Sequence, residues 1–501
     1  MISELFFSLD LEVTEQIALW LHEISDLAIY PRSLATANQA LFALGRAGAA
    51  KKLIIVSRGD QPPPPGFSGE TRAVGELRLT LCPTSAAHAA ALRVALDYTK
   101  PSCLGLATSV GCGDRLGLAT PGHIQAVAGT GVRPILAQQS MRENARTGRT
   151  PQQVIDDATW GVFEAGWRQG YGADADHLKT TAHIDACVAA GYTFFTIDPG
   201  DHVQDEAHTA PPAHLADIVA ALPWASLESN LADLRARYLG PVFDLDEGTR
   251  IAFDEETLLR AAGKYGRAIA HTARMARHLA GLTPDFDLEM SVDETETVTS
   301  AAEHFFIANE LRRLGVRWVS LAPRYVGRFE KGVDYIGDLA AFEASLAQHA
   351  AIARSLGPYK LSIHSGSDKF SIYPAFARQT GGLVHLKTAG TSYLEALRVA
   401  AQAEPDLFRR ILALGIERYP AERATYHVSA DLARVPDPAA VADSDLPRYL
   451  DQSDARQVLH VTYGAALAAF GDDLIAVLRW HEEAHYAALA GHFRRHLQSF
   501  F

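Results

Sequence analysis

From residue 103 onward, short apolar runs bounded by Gly, Pro or Asp alternate with longer stretches whose apolar positions recur at helical spacing. That alternation predicts repeated strand–helix units around a parallel sheet. The runs Cys103–Thr108, Arg133–Gln138, Ala173–Leu178, Thr193–Asp198, Asp285–Val292, Arg317–Ala322, Lys360–His364 and Leu383–Lys387 read as eight strands. The expected helices are Pro121–Ala128, Pro151–Gln169, Thr181–Ala190, a segment from Pro212, Thr295–Arg313, Leu339–Leu356, Ser371–Arg378 and Ser392–Ala401. Eight such units fit an α/β chain folded as a closed (β/α)8, TIM-like barrel. A charged, helical insertion over 200–283 interrupts it after the fourth strand.

The flanks have a different pattern. Residues 1–100 read as an N-terminal α+β cap, with Ala-rich helices over Thr36–Ala50 and Ser85–Thr99 around a strand, Lys52–Val56. A loop, Arg58–Phe67, carries four consecutive prolines, which neither a helix nor a central strand accepts. The catalytic barrel then spans 101–401, and 402–501 reads as a helical C-terminal extension.

Composition narrows the class. The 501 residues are 48% hydrophobic and carry a net charge of -13, an ordinary globular balance whose acidic surface disfavours nucleic acid. Four cysteines without a C-x-x-C pair read as reduced thiols, so the expected location is cytoplasmic. Met1–Val13 lacks a basic n-region and no apolar stretch reaches 18 residues, so neither a secretory signal nor a membrane span is expected. Twenty histidines against four cysteines favour nitrogen and oxygen ligands for any metal. Nothing here specifies or excludes an oligomer.

In such barrels the chemistry sits at the C-terminal ends of the strands. Here those ends are polar: Asp174, Asp176, His177 and Lys179 on the third, Asp198 on the fourth, Asp293-Glu294 on the fifth, Arg324 after the sixth, His364 to Asp368 on the seventh, His385 and Lys387 on the eighth. Charges this dense need pairing in a buried mouth. His177, His364 and His385 come from three strand ends and leave open positions, as a catalytic divalent metal requires. Asp198 or Asp368 would orient the rings. Asp176 and Glu294 are the acid/base pair, unless Glu294 merely caps a helix starting at Thr295. Lys179, Arg324 and Lys387, with Asp368 beside them, are the candidate substrate-binding residues, suited to a carboxylate or phosphate. Lys369 reads as a solvated cation.

His481-Glu482-Glu483-Ala484-His485 matches the H-E-x-x-H protease pattern but lies at the end of the chain without a visible third ligand or cleft. With His492 and His496 it reads as a solvated helix face. The glycines of Ser109–Gly113 are a weak phosphate-loop signal.

The segments Ala173–Thr180, Phe194–Pro199, Ser291–Thr297, Ser362–Phe370 and His385–Thr391, running from the Gly113-Asp114-Arg115 turn to His492–Leu497, resemble the tagaturonate/fructuronate 4-epimerase family. The resemblance implies a metal-dependent isomerase that inverts C4 of a small-molecule hexuluronate in hexuronate catabolism. It implies Asp176 as proton acceptor, Glu294 as proton donor, and His177, His364 and His385 as ligands of a divalent cation, with Zn, Mn, Fe, Co and Ni undistinguished. The alternative is a metal-dependent aldolase, isomerase or 4-epimerase acting on another ketose or sugar acid, and a non-enzymatic sugar-acid sensor is a third class. The C4 hydrogen is not α to a carbonyl. Two routes therefore stand open: retro-aldol cleavage of C3–C4 started from the C4 hydroxyl, or direct proton transfer at C4 between two carboxylates.

Overall fold

The structure, a computed structural model, describes residues 11–245 and 248–501; most of the opening Met1–Val13 lies outside the described residues. After a helix, Leu11–Ser25, strands β1 (Ala28–Ala37), β2 (Ala40–Ala47), β3 (Ala50–Arg58), β4 (Glu70–Val74) and β5 (Leu77–Pro83) form an antiparallel sheet in the order β1-β2-β3-β5-β4. The helix expected over Thr36–Ala50 is in fact the end of β1, all of β2 and the start of β3. Alanine content favours a helix, but the turns decide otherwise. Asn38 and Gln39 both take left-handed φ, 49° and 59°, in a two-residue loop whose twist matches paired strands. One face of the sheet packs on Leu11–Ser25, and the other, through Phe42, Leu44 and Leu53, packs on the helix Ala86–Ala95 and on Phe163.

The barrel strands are β6 (Ser109–Gly111), β7 (Arg133–Ser140), β8 (Gly172–Leu178) and β9 (Phe194–Ile197); after a small hairpin of β10 (Val242–Asp244) and β11 (Arg250–Ala252) come β12 (Asp287–Ser291), β13 (Ser320–Ala322), β14 (Lys360–Ile363) and β15 (Val384–Lys387). They close in the order β6-β7-β8-β9-β12-β13-β14-β15, all parallel, with His385 of β15 opposite Ser109 of β6. Seven fall where the apolar runs predict. The first does not: Cys103–Thr108 is a lead-in, and the strand begins at Ser109. The backbone N–H groups of Leu104 and Gly105 donate to the Asp287 carboxylate at 2.7 and 2.9 Å, so this apolar stretch meets a side chain there rather than a neighbouring strand.

Two helices of the ring also differ from expectation. The fifth begins at Ala301, where Ser300 and Glu303 form a reciprocal capping box, and not at Thr295. Glu294 is therefore in the loop after β12 and caps nothing. Within the insertion, the helix Glu255–Leu282 packs between Thr181–Ala190 and Ala301–Arg313 and completes the ring.

The C-terminal extension folds back onto the barrel. Its last helix, Glu482–Leu497, lies against the helices Thr120–Val127 and Thr391–Ala403. The histidine stripe on it is not solvated: His485 and His496 are at most 1% exposed and His492 is 9% exposed. Imidazoles count as polar in a sequence pattern, yet here they face buried partners. No single helix among the described residues is long and apolar enough to cross a membrane.

A side chain at Gly122 would meet Leu489 at 2.8 Å and the Tyr486 backbone at 3.1 Å, whereas one at Gly491 on the terminal helix meets nothing within 4 Å. Gly122→Val should therefore lower the unfolding free energy by about 1–3 kcal/mol. Gly491→Ala should raise it by up to about 1 kcal/mol. Urea midpoints read both, and equal midpoints would contradict the docking of this helix.

Candidate active site

The barrel strands alternate with polar side chains inward. Asp174, Asp176, Thr196, Glu289, Ser291, Lys360, Ser362, His385 and Lys387 are buried, while Ala175, Phe195, Met290, Leu361 and Leu386 join the apolar layer shared with the helices. A polar interior of this kind holds only if its members satisfy one another.

Lys387 is the centre of that pairing. Its ammonium lies 2.8 Å from Asp174, 2.7 Å from Asp176 and 3.0 Å from Glu289, and donates to Thr196 Oγ1 at 2.6 Å. Burial alone would lower its pKa, but these carboxylates hold it well above the usual lysine value. Against the same burial, Lys387 and His364 keep Glu289 well below the ordinary carboxylate range. Asp174 goes the other way: burial pushes it up to about 6 against the pull of Lys387, with Asp176 and Glu289 adding to the rise. With its donors so occupied, Lys387 has no capacity left for a substrate carboxylate, the role expected of it.

Above this layer the strand ends converge. His364 Nε2 lies 2.7 Å from Glu289 and its Nδ1 lies 3.0 Å from Asp293. His177 Nδ1 lies 3.4 Å from Asp198, and its Nε2 lies 3.8 Å from Asp176. The two rings meet edge to face at 5.2 Å. One ligand atom each from Asp176, His177 and His364 all fall within 4.8 Å of one another. Burial would lower both imidazoles, but Asp176 and Asp198 push His177 up to about 10, and Asp293 with Glu289 pushes His364 up to about 9. Asp176 itself is held below the ordinary range despite burial, by His177, Lys387 and His364. His177, Ser365 and Asp368 all take left-handed φ (54°, 48° and 61°), so backbone strain is concentrated at this mouth.

His385 is not brought into this group. It sits in β15 two residues before Lys387, fully buried, with Nδ1 on Ser109 Oγ at 2.9 Å and Lys360 on the same hydroxyl at 3.0 Å. Burial pulls its pKa well down. Glu294 and Arg324 do reach the mouth, where they share a cavity of about 110 Å³ with Asp293, Lys331, Ser365, Tyr426 and His427. Glu294 is half exposed and pairs with Arg142 at 3.3 Å. Lys179 stays at the rim, pairing with Asp201 at 2.8 Å. A roomier cavity of about 340 Å³ lies between the N-terminal sheet, the helix Pro151–Ala165 and the C-terminal helices, and none of these strand-end residues lines it.

Asp368 belongs to a second group. Its carboxylate accepts from Arg456 and lies against His492, each at 2.7 Å, and its backbone N–H donates to His496 Nε2 at 2.9 Å. Among the described residues, the His177 and His364 rings are not its partners. His496 uses its other nitrogen on the His492 carbonyl at 3.1 Å, so this trio is closed by its own hydrogen bonds. Lys369, far from being a solvated cation, is fully buried, its ammonium bound to the carbonyls of Glu330, Val333 and Ser367. Glu289, Lys331, Arg456 and His492 are the residues that reading strand ends missed. Counting back by twos from Asp293 would have reached Glu289; the others come from loops and helices with no such period.

A family model described as tagaturonate epimerase matches residues 30–500. A tagaturonate/fructuronate epimerase of Thermotoga maritima is 45% identical over 450 residues, which cover 89% of this chain and 91% of its own length. The glycerol-complexed and native crystal structures of a fructuronate-tagaturonate epimerase from Cohnella laeviribosi superpose with a TM-score of 0.90 at 38% identity, covering 97% of this chain and 99% of theirs.

Lys387→Met would strand three buried carboxylates, so the unfolding free energy should fall by about 3–5 kcal/mol. Chemical denaturation checks this. A midpoint within error of the wild type would mean that the ammonium does not hold the barrel interior together.

Proposed function

The chain belongs to the tagaturonate epimerase family, and on that premise we propose that it is an isomerase that interconverts D-tagaturonate and D-fructuronate at C4, with Asp176 and Glu294 as its acid/base pair. One geometric fact carries the chemistry: Asp176, His177 and His364, from two strands on opposite stretches of the chain, meet within 4.8 Å at the mouth of the barrel.

The same donor set suits a divalent cation. Asp174, Asp176, Asp198, Glu289 and Asp293 outnumber Lys179, Lys360 and Lys387, the lysines that face them, and this surplus of negative charge is what draws protons onto the two imidazoles. A metal would take the place of those protons, held by His177 and His364 with Asp176 alongside, while Asp198 and Asp293 orient the rings. His385, too deep to join them, is left out of the set. When bound, such an ion supplies Lewis-acid polarisation of the substrate ketone.

The chain's own groups do the rest. Asp176, kept ionised beside Lys387, takes the proton of the C4 hydroxyl. The electron pair of C3–C4 moves into the C2–C3 enolate as C4 becomes an aldehyde carbon. Rotation of that aldehyde turns its other face to C3; re-addition rebuilds the bond with C4 inverted, and Glu294 gives the new alkoxide its proton. Arg324, at the same mouth, faces the substrate carboxylate.

Purified protein supplied with Zn, Mn, Fe, Co or Ni and either hexuluronate should form the other, read by chromatography; no conversion with any of them overturns the reading. Asp176→Asn and Glu294→Gln should each lower kcat by about 10²- to 10⁴-fold. His364→Ala should lose the bound metal by elemental analysis, and unchanged metal content rules out that site. In D2O the cleavage route leaves C4 unlabelled. Deuterium at C4 of the product would instead mean direct proton transfer at carbon.

A further inference from the structure

The cavity that holds Glu294 also holds two cations with no acid of their own among the described residues. Among the described residues no carboxylate reaches the guanidinium of Arg324, whose described hydrogen bonds are both made by its backbone, the N–H donating to Thr299 Oγ1 and the carbonyl accepting from the Thr299 N–H. Lys331 donates to Ser365 Oγ at 2.7 Å and, among the described residues, has no acidic partner. The acids that share the cavity are already engaged, Asp293 with His364 at 3.0 Å and Glu294 with Arg142 at 3.3 Å. Two unneutralised cations in a partly enclosed site favour an anion.

We propose that Lys331, together with Arg324, forms the clamp for the C6 carboxylate of the substrate, and that this clamp makes the enzyme select uronates over neutral ketoses. This rests on the epimerase reading and adds to it a residue and a basis for selection. Three observations carry it. First, C6 is two bonds from C4, so whatever holds the carboxylate must share a cavity with the group serving C4, and Lys331 shares one with Glu294. Second, of the other strand-end cations suited to a carboxylate, Lys387 is consumed by Asp174, Asp176 and Glu289, and Lys179 pairs with Asp201 at the rim. Third, Lys331 is held in place from several sides. Ser365, next to His364, takes its left-handed backbone and accepts from the ammonium. The carbonyls of Glu330 and Val333, on either side of it, are tied to the buried Lys369, and the Gly332 carbonyl accepts from Arg456 at 2.9 Å. Tyr426 and His427 close the cavity from the C-terminal extension, with the Tyr426 ring fixed against the guanidiniums of Arg142 and Arg146 at 5.4 and 5.0 Å. A fragment tethered at C6 would remain bound while its aldehyde turns.

The test compares D-fructuronate with D-fructose, which carries a hydroxymethyl group in place of the carboxylate. For Lys331→Met, KM for D-fructuronate should rise about 10- to 100-fold, the loss of one charge-assisted hydrogen bond, with kcat changed far less. Lys331→Arg should recover most of the loss. Calorimetric titration of wild type and variant with each sugar gives the same comparison without turnover: the variant should lose affinity for D-fructuronate and keep that for D-fructose, or show no binding of D-fructose in either protein. An unchanged D-fructuronate affinity, equal losses for both sugars, or a fall in kcat alone would overturn the clamp. A wild type that binds D-fructuronate through Lys331 but never converts it would overturn the epimerase reading and leave the clamp standing.

Discussion

The ammonium of Lys387 lies within 3.0 Å of three carboxylates in an interior closed to solvent, and the architecture follows from keeping those charges paired. Taking ions out of water costs several kcal/mol each, recovered only where geometry and further hydrogen bonds are good. Thr196 and Ser320 supply some of those bonds, to Asp174 and Glu289. The strands therefore carry their polar residues inward and their apolar ones toward the helices. This interior is more than support. Lys387 on one side and the imidazoles on the other keep Asp176 ionised, so the same pairing that permits the barrel to close leaves an ionised carboxylate at its mouth.

The C-terminal extension is tied to that mouth by buried ions. Arg456 binds the Asp368 carboxylate, the Gly332 carbonyl and the Leu450 carbonyl, and so joins the loop after β14 to the loop bearing Lys331. His492 and His496 grip Asp368 from the last helix. His460 inserts its ring beside Gly390, where any Cβ would collide with it at 2.5 Å, so the loop after β15 requires glycine both for this contact and for its φ of 92°. Residues of the C-terminal extension, well beyond the last barrel strand, thus set the backbone from which the loop after β14 is presented.

The barrel was legible because its signals are local. Apolar runs bounded by breakers mark seven of eight strands, and Asp176, His177 and His364 fall at strand ends where a barrel places its chemistry. The misses are those in which a distant partner overrides a local pattern. Alanines in Thr36–Ala50 spell a helix until two left-handed residues make a hairpin. Cys103–Thr108 is apolar enough for a strand, yet its N–H groups are claimed by Asp287, which lies far along the chain. His385 lies on β15 two residues before Lys387, which is itself interior, and in a strand two residues are a full layer of depth, so its ring is deeper still and far from the mouth. Lys331 has no periodic context at all, and only the fold brings it beside Ser365.

These placements separate two tasks. Proton transfer tolerates little displacement, and Asp176 stands on a strand whose neighbours are packed on every side. The discrimination proposed for the clamp needs groups that differ in charge from the acidic interior, and Arg324 and Lys331 stand on loops over the mouth. A cation placed deeper would be captured by the carboxylates below, as Lys387 is. The acid surplus of the interior therefore also dictates where the lysine of the proposed clamp can stand: outside the polar layer, braced by loops and by the C-terminal extension, with Ser365 as its described hydrogen-bond partner rather than an acid.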